Sequence, residues 1–214
     1  MSLFVAHTPQ PWSAPGWQHG RLRTDMLSTT TADKRLVLKI GGSLLARSGW
    51  PQLITALVAA APHPARTLVV GGGPVVDGLR RIDAAAPRPD ELMHHLAIEA
   101  LRVTARLVAA TLGLPLSTSP AVDDKTVVLD VPAWLARTPI DRELPAGWQV
   151  TSDSIAARVA AATAASLLLA KSAAPPPCPT DTDDLESVAA AGWVDDHFPV
   201  AAVGLDLIEW AAPR

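Results

Sequence analysis

Short apolar runs along the chain predict the strands of a buried sheet. Residues 36–40, 67–70 and 166–170 are almost continuously apolar, and residues 127–129 form a shorter run. Strands with one face in water alternate between apolar and polar residues, whereas uninterrupted apolar strands are typical of parallel sheets covered on both faces. We therefore expect a mainly parallel sheet that is covered on both sides.

Helical periodicity separates the predicted strands. Four segments carry apolar residues three and four positions apart, at residues 50–61, 76–82, 91–112 and 153–164. The apolar stripe of the longest one comprises Leu92, Leu96, Ile98, Leu101 and Leu107. Because strands alternate with helices, the fold class that we predict is α/β, with the sheet between layers of helices.

The two ends of the chain have less regular patterns. Residues 1–33 lack periodicity, which predicts an irregular arm that packs on the body through Trp12 and Trp17 or contacts a second subunit. Residues 34–214 then form a single domain. The proline-rich segment 173–186 predicts a loop. Apolar residues that we expect to return the chain to the core follow it at Trp193, Phe198, Val200, Val203 and Leu207.

Composition excludes several functions. The 214 residues include 18 basic and 21 acidic side chains, and a net charge of −3 gives no reason to expect a nucleic acid or an anionic membrane as partner. No apolar run reaches the roughly 20 residues that a membrane-spanning helix needs. The single cysteine, Cys178, cannot form an intramolecular disulfide. The start of the sequence lacks the pattern of a signal peptide, so we expect a cytoplasmic protein.

Lysine is scarce, and its positions are informative. Only four of the 18 basic residues are lysines, and two of them, Lys39 and Lys171, lie at the ends of predicted buried strands. A bias of the source genome towards arginine accounts for the scarcity itself. A buried ammonium group is costly unless an anion meets it, so these two positions indicate an anion site.

Glycine turns follow two of the predicted strands. The residues of the two turns are Gly41, Gly42, Ser43, Gly71, Gly72 and Gly73. Glycine lets backbone N–H groups approach an anion closely, and a helix that begins after the turn adds its positive N-terminal end. Parallel strands end at one edge of the sheet, where open α/β sheets bind ligands. Structural turns without a ligand are the alternative.

A polar cluster, Thr151-Ser152-Asp153-Ser154, begins the last predicted helix. Hydroxyl and carboxylate groups at this position commonly cap a helix. In a functional reading, Asp153 faces the anion site and fixes the lysine ammonium groups by charge-assisted hydrogen bonds.

The order of the motifs KIGGS, VVGGGP and TSDSIAA resembles the amino-acid kinase superfamily over residues 35–174. The resemblance implies a three-layer α/β/α sandwich, with an acceptor-binding half at residues 34–135 and a short nucleotide-binding half at 136–214. Within the superfamily, residues 148–157 and 170–172, with His94 or His95, resemble a branch that includes the aminomethylfuran-methyl phosphate kinases of methanofuran biosynthesis.

The resemblance implies an ATP-dependent kinase that uses Mg²⁺ and a phosphate-monoester acceptor. Lys39 would stabilise charge on the transferred phosphoryl group, and Asp153 would organise the lysines. The amides of Gly41, Gly42, Gly72 and Gly73 would hold phosphate oxygens. Further substrate contacts would come from Ser43, Gly71, Arg80, His94, Ser152 and Ser154. Self-association as a homo-oligomer is also implied.

The sequence departs from the superfamily in its C-terminal half. It lacks a GGMxxK-like segment with a second catalytic lysine, and Lys171 either replaces that lysine or only binds nucleotide. Because the segment is missing and the C-terminal half is short, a catalytically silent binding or scaffold subunit is one alternative. A kinase acting on a carboxylate, as in the amino-acid branch of the superfamily, is another. We interpret Asp195-Asp196-His197 as a surface turn and the aspartates of residues 181–184 as a solvated loop, and we predict no protein-held metal.

Overall fold

A seven-stranded sheet organises the computed structural model, which describes residues 13–24, 35–138, 144–176 and 185–214. The strands are β1 (Trp17–Thr24), β2 (Arg35–Ile40), β3 (Ala65–Val70), β4 (Leu116–Ser117), β5 (Thr126–Leu129), β6 (Ser166–Ala170) and β7 (Leu207–Pro213). The helices are a short 3-10 helix (Gly42–Ala46), α1 (Trp50–Ala60), α2 (Gly73–Ala85), α3 (Asp90–Leu112), α4 (Val131–Leu135), α5 (Ser152–Thr163), α6 (Leu185–Ala190) and α7 (Phe198–Ala201).

The order of strands across the sheet is β1-β7-β6-β2-β3-β5-β4. Every neighbouring pair is parallel except β1 and β7, which run antiparallel at one edge. The predicted α/β fold with a mainly parallel sheet is confirmed. The four predicted apolar strands are β2, β3, β5 and β6.

Hydrophobic cores lie on both faces of the sheet, because successive side chains of a strand point to opposite sides. Val37 and Leu169 pack towards α5 in one core, whereas Leu36 and Leu38 pack towards α1 in the other. By the same alternation, Lys39 and Lys171 project on the side of α5. The sheet thus directs both lysines to one helix.

The first and last strands were not predicted. The expectation of an irregular arm is wrong for residues 17–24, which form β1 and pair with β7. Trp17 is fully buried and its Nε1 donates a hydrogen bond to the carbonyl oxygen of Leu53 at 3.0 Å. Trp12 lies outside the described residues. Pairing between segments almost 200 residues apart leaves no local pattern in either strand.

Two expectations about the core are also wrong. Val200 and Val203 are exposed, at 61% and 67% of their surface. In α3, Leu92, Leu96 and Leu107 are exposed as well. The reason is that α3 packs on the sheet with a different face from the predicted one. The buried residues of that face include Ala105, Val108 and Ala109. Small side chains let the helix lie close to the strands, so the larger ones are left outside.

No helix in the described part of the chain is both long and apolar enough to cross a membrane. Cys178 and the acidic residues 181–184 of the predicted loop lie outside the described residues.

Candidate active site

Two lysines share one buried carboxylate at the carboxyl ends of β2 and β6. Lys39 is the fifth residue of β2, and Lys171 directly follows β6, its neighbour in the sheet. Lys39 Nζ lies 2.7 Å from Asp153 Oδ1, and Lys171 Nζ lies 2.7 Å from Asp153 Oδ2. We call these three residues the lysine–aspartate cluster.

Burial makes the charges of the lysine–aspartate cluster interdependent. Burial by itself raises the pKa of the Asp153 carboxyl, but the two ammonium groups outweigh it and hold that pKa below its ordinary value. Burial, and then repulsion from Lys39, lowers the pKa of Lys171 to about 8. Two ammonium groups against one carboxylate leave a positive charge, which an incoming anion would balance.

The two glycine turns meet backbone to backbone beside the cluster. A Cβ atom on Gly42 would overlap the backbone of Gly73, and one on Gly73 would overlap Gly42. Gly73 also has a φ of 51°, in the left-handed region that favours glycine. Only glycine permits this contact, which brings the turns together at one edge of the sheet.

The amides of the turns differ in what they can bind. The N–H groups of Gly41 and Gly71 donate to the carbonyl oxygens of Ala170 and Ile40, at 2.7 and 2.8 Å. The prediction that the Gly41 amide holds phosphate oxygens is therefore wrong, and the Gly71 amide is likewise already bonded within the sheet edge. The amides of Gly42, Gly72 and Gly73 donate to no other residue that the structure describes.

A cavity of about 240 Å³ opens between the glycine turns and helices α2, α3 and α5. The predicted site residues that line it are Gly42, Ser43, Gly72, Gly73, Arg80, His94 and Ser152. Its apolar walls include Val76, Ile98, Leu101, Val150 and Ile155. The three residues of the lysine–aspartate cluster do not line the cavity themselves, but their neighbours in the sequence do. Gly42 and Ser43 come shortly after Lys39, and Ser152 directly precedes Asp153.

Ser154 does not face the cavity. Its side chain is fully buried and its hydroxyl donates a very short hydrogen bond to Asp195, so the prediction that it contacts substrate is wrong. Asp195 is itself buried, which contradicts its interpretation as part of a surface turn. Asp195 Oδ2 also accepts from the Thr151 amide and hydroxyl and from the Ser154 amide, at 2.9, 2.7 and 3.0 Å. Asp195 thereby fixes the start of α5, which carries Asp153.

Trp148 forms a wall of the cavity that the site prediction missed. Its Nε1 donates to Asp83 Oδ2 at 2.9 Å, and the Arg80 guanidinium lies 5.1 Å from its ring centroid. The preceding Gly147, at φ 146°, presents its carbonyl oxygen to His94 Nδ1 at 3.3 Å. The sequence signal that could have identified this wall was a glycine directly before a tryptophan, in a segment between two helical patterns.

On the side away from the cavity, Lys171 contacts residues that follow β6 in the chain. Lys171 Nζ lies 5.1 Å from the ring centroid of Trp193, whose Nε1 donates to the carbonyl oxygen of Ala173 at 3.0 Å. The hydroxyls of Ser43 and Ser172 are 3.1 Å apart and link the two halves. Over the described ranges, no group of three His, Cys, Asp or Glu residues is arranged to hold a metal ion.

Glycine turns and two lysines thus lie together at the carboxyl edge of a mainly parallel α/β sheet. The chain belongs to the amino acid kinase family, whose model matches residues 34–174. No curated protein matches the chain in sequence.

Solved structures of two kinases share the fold. Uridylate kinase from Archaeoglobus fulgidus is 15% identical with a TM-score of 0.52, over 82% of this chain and 99% of that chain. Aspartate kinase from Synechocystis is 17% identical with a TM-score of 0.52, over 83% of this chain and 40% of that chain. At these identities the similarity shows a common fold alone.

Proposed function

We propose that this protein is an ATP-dependent kinase that transfers the γ-phosphoryl group to a small acceptor already carrying a phosphate. The lysine–aspartate cluster carries the proposal. Its surplus positive charge lies beside the amides of Gly42, Gly72 and Gly73, which suits charge that spreads over phosphoryl oxygens during transfer.

The cluster favours an acceptor whose attacking oxygen is already ionised. An oxygen of the acceptor forms a bond to the γ-phosphorus while the bond from that phosphorus to the bridging oxygen of ADP breaks. Asp153 is a weak base towards an acceptor proton, because the two ammonium groups against it hold the pKa of its carboxyl below the ordinary value. A phosphate monoester, with a second pKa near 6, needs no such base at neutral pH.

Lys171 supports catalysis over a silent scaffold. The silent alternative rested on the missing second-lysine segment and on the shortened C-terminal half. Lys171 occupies the Asp153 oxygen that Lys39 leaves open, so the chain holds two cations where phosphoryl transfer would need them.

The cavity supports a small acceptor with an apolar body. Apolar side chains, Trp148 among them, form one part of its wall, and Arg80, which is paired with Asp77 at 3.3 Å, supplies a cation. A furan-methyl phosphate, the acceptor that the branch resemblance implies, matches this chemistry, and a carboxylate acceptor is the alternative. ATP would bind from the C-terminal half beside Lys171. Magnesium would be held mainly by nucleotide phosphates and water.

A panel of acceptors tests the proposal. Purified protein is incubated with Mg-ATP and a furan-methyl phosphate, uridine monophosphate, aspartate or acetylglutamate, and ³¹P NMR identifies the product. A phosphate acceptor should give the doublets of a new diphosphate linkage. Lys39→Ala should abolish the product, whereas Lys125→Ala, at an exposed lysine, should not.

Two outcomes would contradict the proposal. Transfer only to a carboxylate would support the amino-acid kinase alternative. If calorimetry detects no binding of Mg-ATP and no acceptor gives a product, the protein would instead be the catalytically silent scaffold subunit.

A further inference from the structure

The Lys171 ammonium group contacts a tryptophan as well as a carboxylate. Its Nζ lies 2.7 Å from Asp153 Oδ2 and 5.1 Å from the ring centroid of Trp193. A cation at such a distance from the face of an aromatic ring is attracted by the π electrons, and tryptophan attracts it most strongly. Phosphoryl transfer as proposed uses the two lysines and the carboxylate, but it assigns no role to this ring.

The end of α6 determines where the ring lies. Gly192 follows the helix at a φ of 68°, and its amide donates to the carbonyl oxygen of Ala189 at 2.8 Å. The amide of Trp193 donates to the carbonyl oxygen of Val188 at 3.0 Å. These two bonds around a left-handed glycine form the Schellman motif, which ends many helices. The motif sets the direction in which the chain leaves α6 and therefore the position of Trp193.

Two further contacts hold the indole beside the end of β6. Its Nε1 donates to the carbonyl oxygen of Ala173 at 3.0 Å, two residues beyond Lys171. The side chain also packs against the core on the α5 side of the sheet, in which the next residue, Val194, is buried. Trp193 is thus restrained by its own turn and by the segment that carries Lys171.

One turn supports both partners of the ion pair between Lys171 and Asp153. Asp195, two residues after Trp193, holds the start of α5 and with it Asp153. Trp193 contacts Lys171, the residue that pairs with Asp153 Oδ2. Residues 193–195 therefore approach this ion pair from both of its ends.

The charge of Lys171 needs such support. Burial, followed by repulsion from Lys39, lowers its pKa to about 8, while Asp153 and Asp195 act in the opposite direction. These charged groups approach Lys171 from β2, from α5 and from the turn before α7. The face of Trp193 favours the charged form as the carboxylates do, but it adds no full negative charge that would repel a phosphate.

We propose that Trp193 is a positioning residue, which holds the Lys171 ammonium group against Asp153 and keeps it charged. The contact itself does not depend on any reaction, whereas its effect on phosphoryl transfer rests on the proposed function. Trp193 acts on that transfer through Lys171.

NMR titration of the lysine side chains in the full chain tests the proposal without any substrate. The ¹³Cε–¹⁵Nζ signal of Lys171 is the one that disappears in Lys171→Arg. Trp193→Leu keeps an apolar side chain over the ammonium group but removes the π face, and it should lower the pKa of Lys171 by about 0.5–1. Trp193→Phe also loses the bond to Ala173 but keeps a weaker π face, so it should lower that pKa less.

The matched control is Trp50→Leu, at a half-buried tryptophan that packs in the core on the other face of the sheet. It should leave the pKa of Lys171 unchanged, and circular dichroism should show every variant folded. If Trp193 were only an apolar cover, Trp193→Leu and Trp193→Phe would give Lys171 the same pKa. That result, or a higher pKa in Trp193→Leu than in wild type, would overturn the proposal.

The pH profile of activity separates this proposal from the proposed function. With an acceptor that wild type phosphorylates, the alkaline fall of kcat/KM should move to lower pH in Trp193→Leu and by less in Trp193→Phe. A higher KM for Mg-ATP with an unchanged profile would show that the ring binds nucleotide instead, and would overturn the proposal. If the NMR order held but wild type phosphorylated no acceptor, the proposed function would fail and the contact between Trp193 and Lys171 would stand.

Discussion

Each charge of the lysine–aspartate cluster depends on the other two. Asp153 is ionised because two ammonium groups lie against it, and Lys171 holds its proton less firmly because it is buried beside Lys39. A phosphate that approaches Lys171 would stabilise its charged form. The cluster is therefore expected to bind anions best where Lys171 is protonated.

Lys171 should set the alkaline limit of activity. Its pKa of about 8 predicts that kcat/KM falls as the pH rises through that value. Lys171→Arg should move the fall to higher pH, because a guanidinium stays charged. Lys125→Arg should leave the pH–rate profile unchanged. If the profile of Lys171→Arg matched that of wild type, another group would be responsible.

The same shift should make stability depend on pH. The pKa of Lys171 drops from an ordinary 10.5 to about 8 on folding, so the unfolded chain binds more protons between those values. The contribution of Lys171 to the free energy of unfolding therefore increases with pH across that window. Denaturant titrations at several pH values should show a shallower increase for Lys171→Met than for wild type.

The start of α5 is the element on which the cluster depends. Asp153 lies in its first turn, and Asp195 secures that turn through the amides and hydroxyls of Thr151 and Ser154. Asp195 is 42 residues further along the chain than Asp153, so the sequence around α5 contains no sign of the support.

Asp195→Ala should impair both stability and catalysis. Removing the carboxylate leaves several buried donors without a partner, which should lower the free energy of unfolding by about 2–4 kcal/mol. It should also lower kcat/KM, since Asp153 would no longer be held in place. Asp196→Ala, at the exposed neighbour, is the control and should change neither quantity. A fully active Asp195→Ala would show that α5 needs no such support.

The contact between the glycine turns gives another test. Gly42→Ala forces the turns apart and should cost about 1–3 kcal/mol of stability along with most of the activity. Gly78→Ala, in the interior of α2 with open space around it, should instead add about 0.5–1 kcal/mol. Thermal unfolding and initial rates measure both. Equal effects from the two variants would contradict the proposed packing.

The sequence predicted those strands and turns that have a strong local pattern of apolar residues or glycines. It did not predict the elements that form only by contact with distant parts of the chain. The apolar runs of β2, β3 and β6 and the glycine turns identified the sheet edge and the position of Lys39. Polar residues interrupt both edge strands, His19 and Arg21 in β1 and Glu209 in β7. Neither segment therefore has the apolar pattern of a buried strand, and each is recognised only by its pairing with the other. The buried position of Asp195 was hidden for the same reason.

In the molecule as a whole, β1 and β7 form the edge of the sheet next to β6, in the C-terminal half. Trp17 anchors this edge by complete burial and by its hydrogen bond to Leu53. The N-terminal segment that contains β1 is thus part of the domain that carries the site.

Trp17→Ala should destabilise the whole domain. Loss of a buried tryptophan typically costs about 3–5 kcal/mol, and denaturant unfolding should show a single weakened transition. Gln18→Ala, at the next and exposed residue of β1, should have little effect. Separate early unfolding of β1, with the rest of the domain unaffected, would show that the strand is only an accessory.

A single-turnover measurement of γ-phosphoryl transfer tests most directly whether the lysine–aspartate cluster is the catalytic centre. Enzyme in excess of labelled Mg-ATP is mixed with the acceptor identified by NMR, and labelled product is followed for wild type, Lys39→Met, Lys171→Met and the exposed-site control Lys125→Met. We predict a loss of about 100-fold or more for each cluster variant and none for the control. A folded Lys39→Met or Lys171→Met protein that transfers phosphate at the wild-type rate would contradict the assignment.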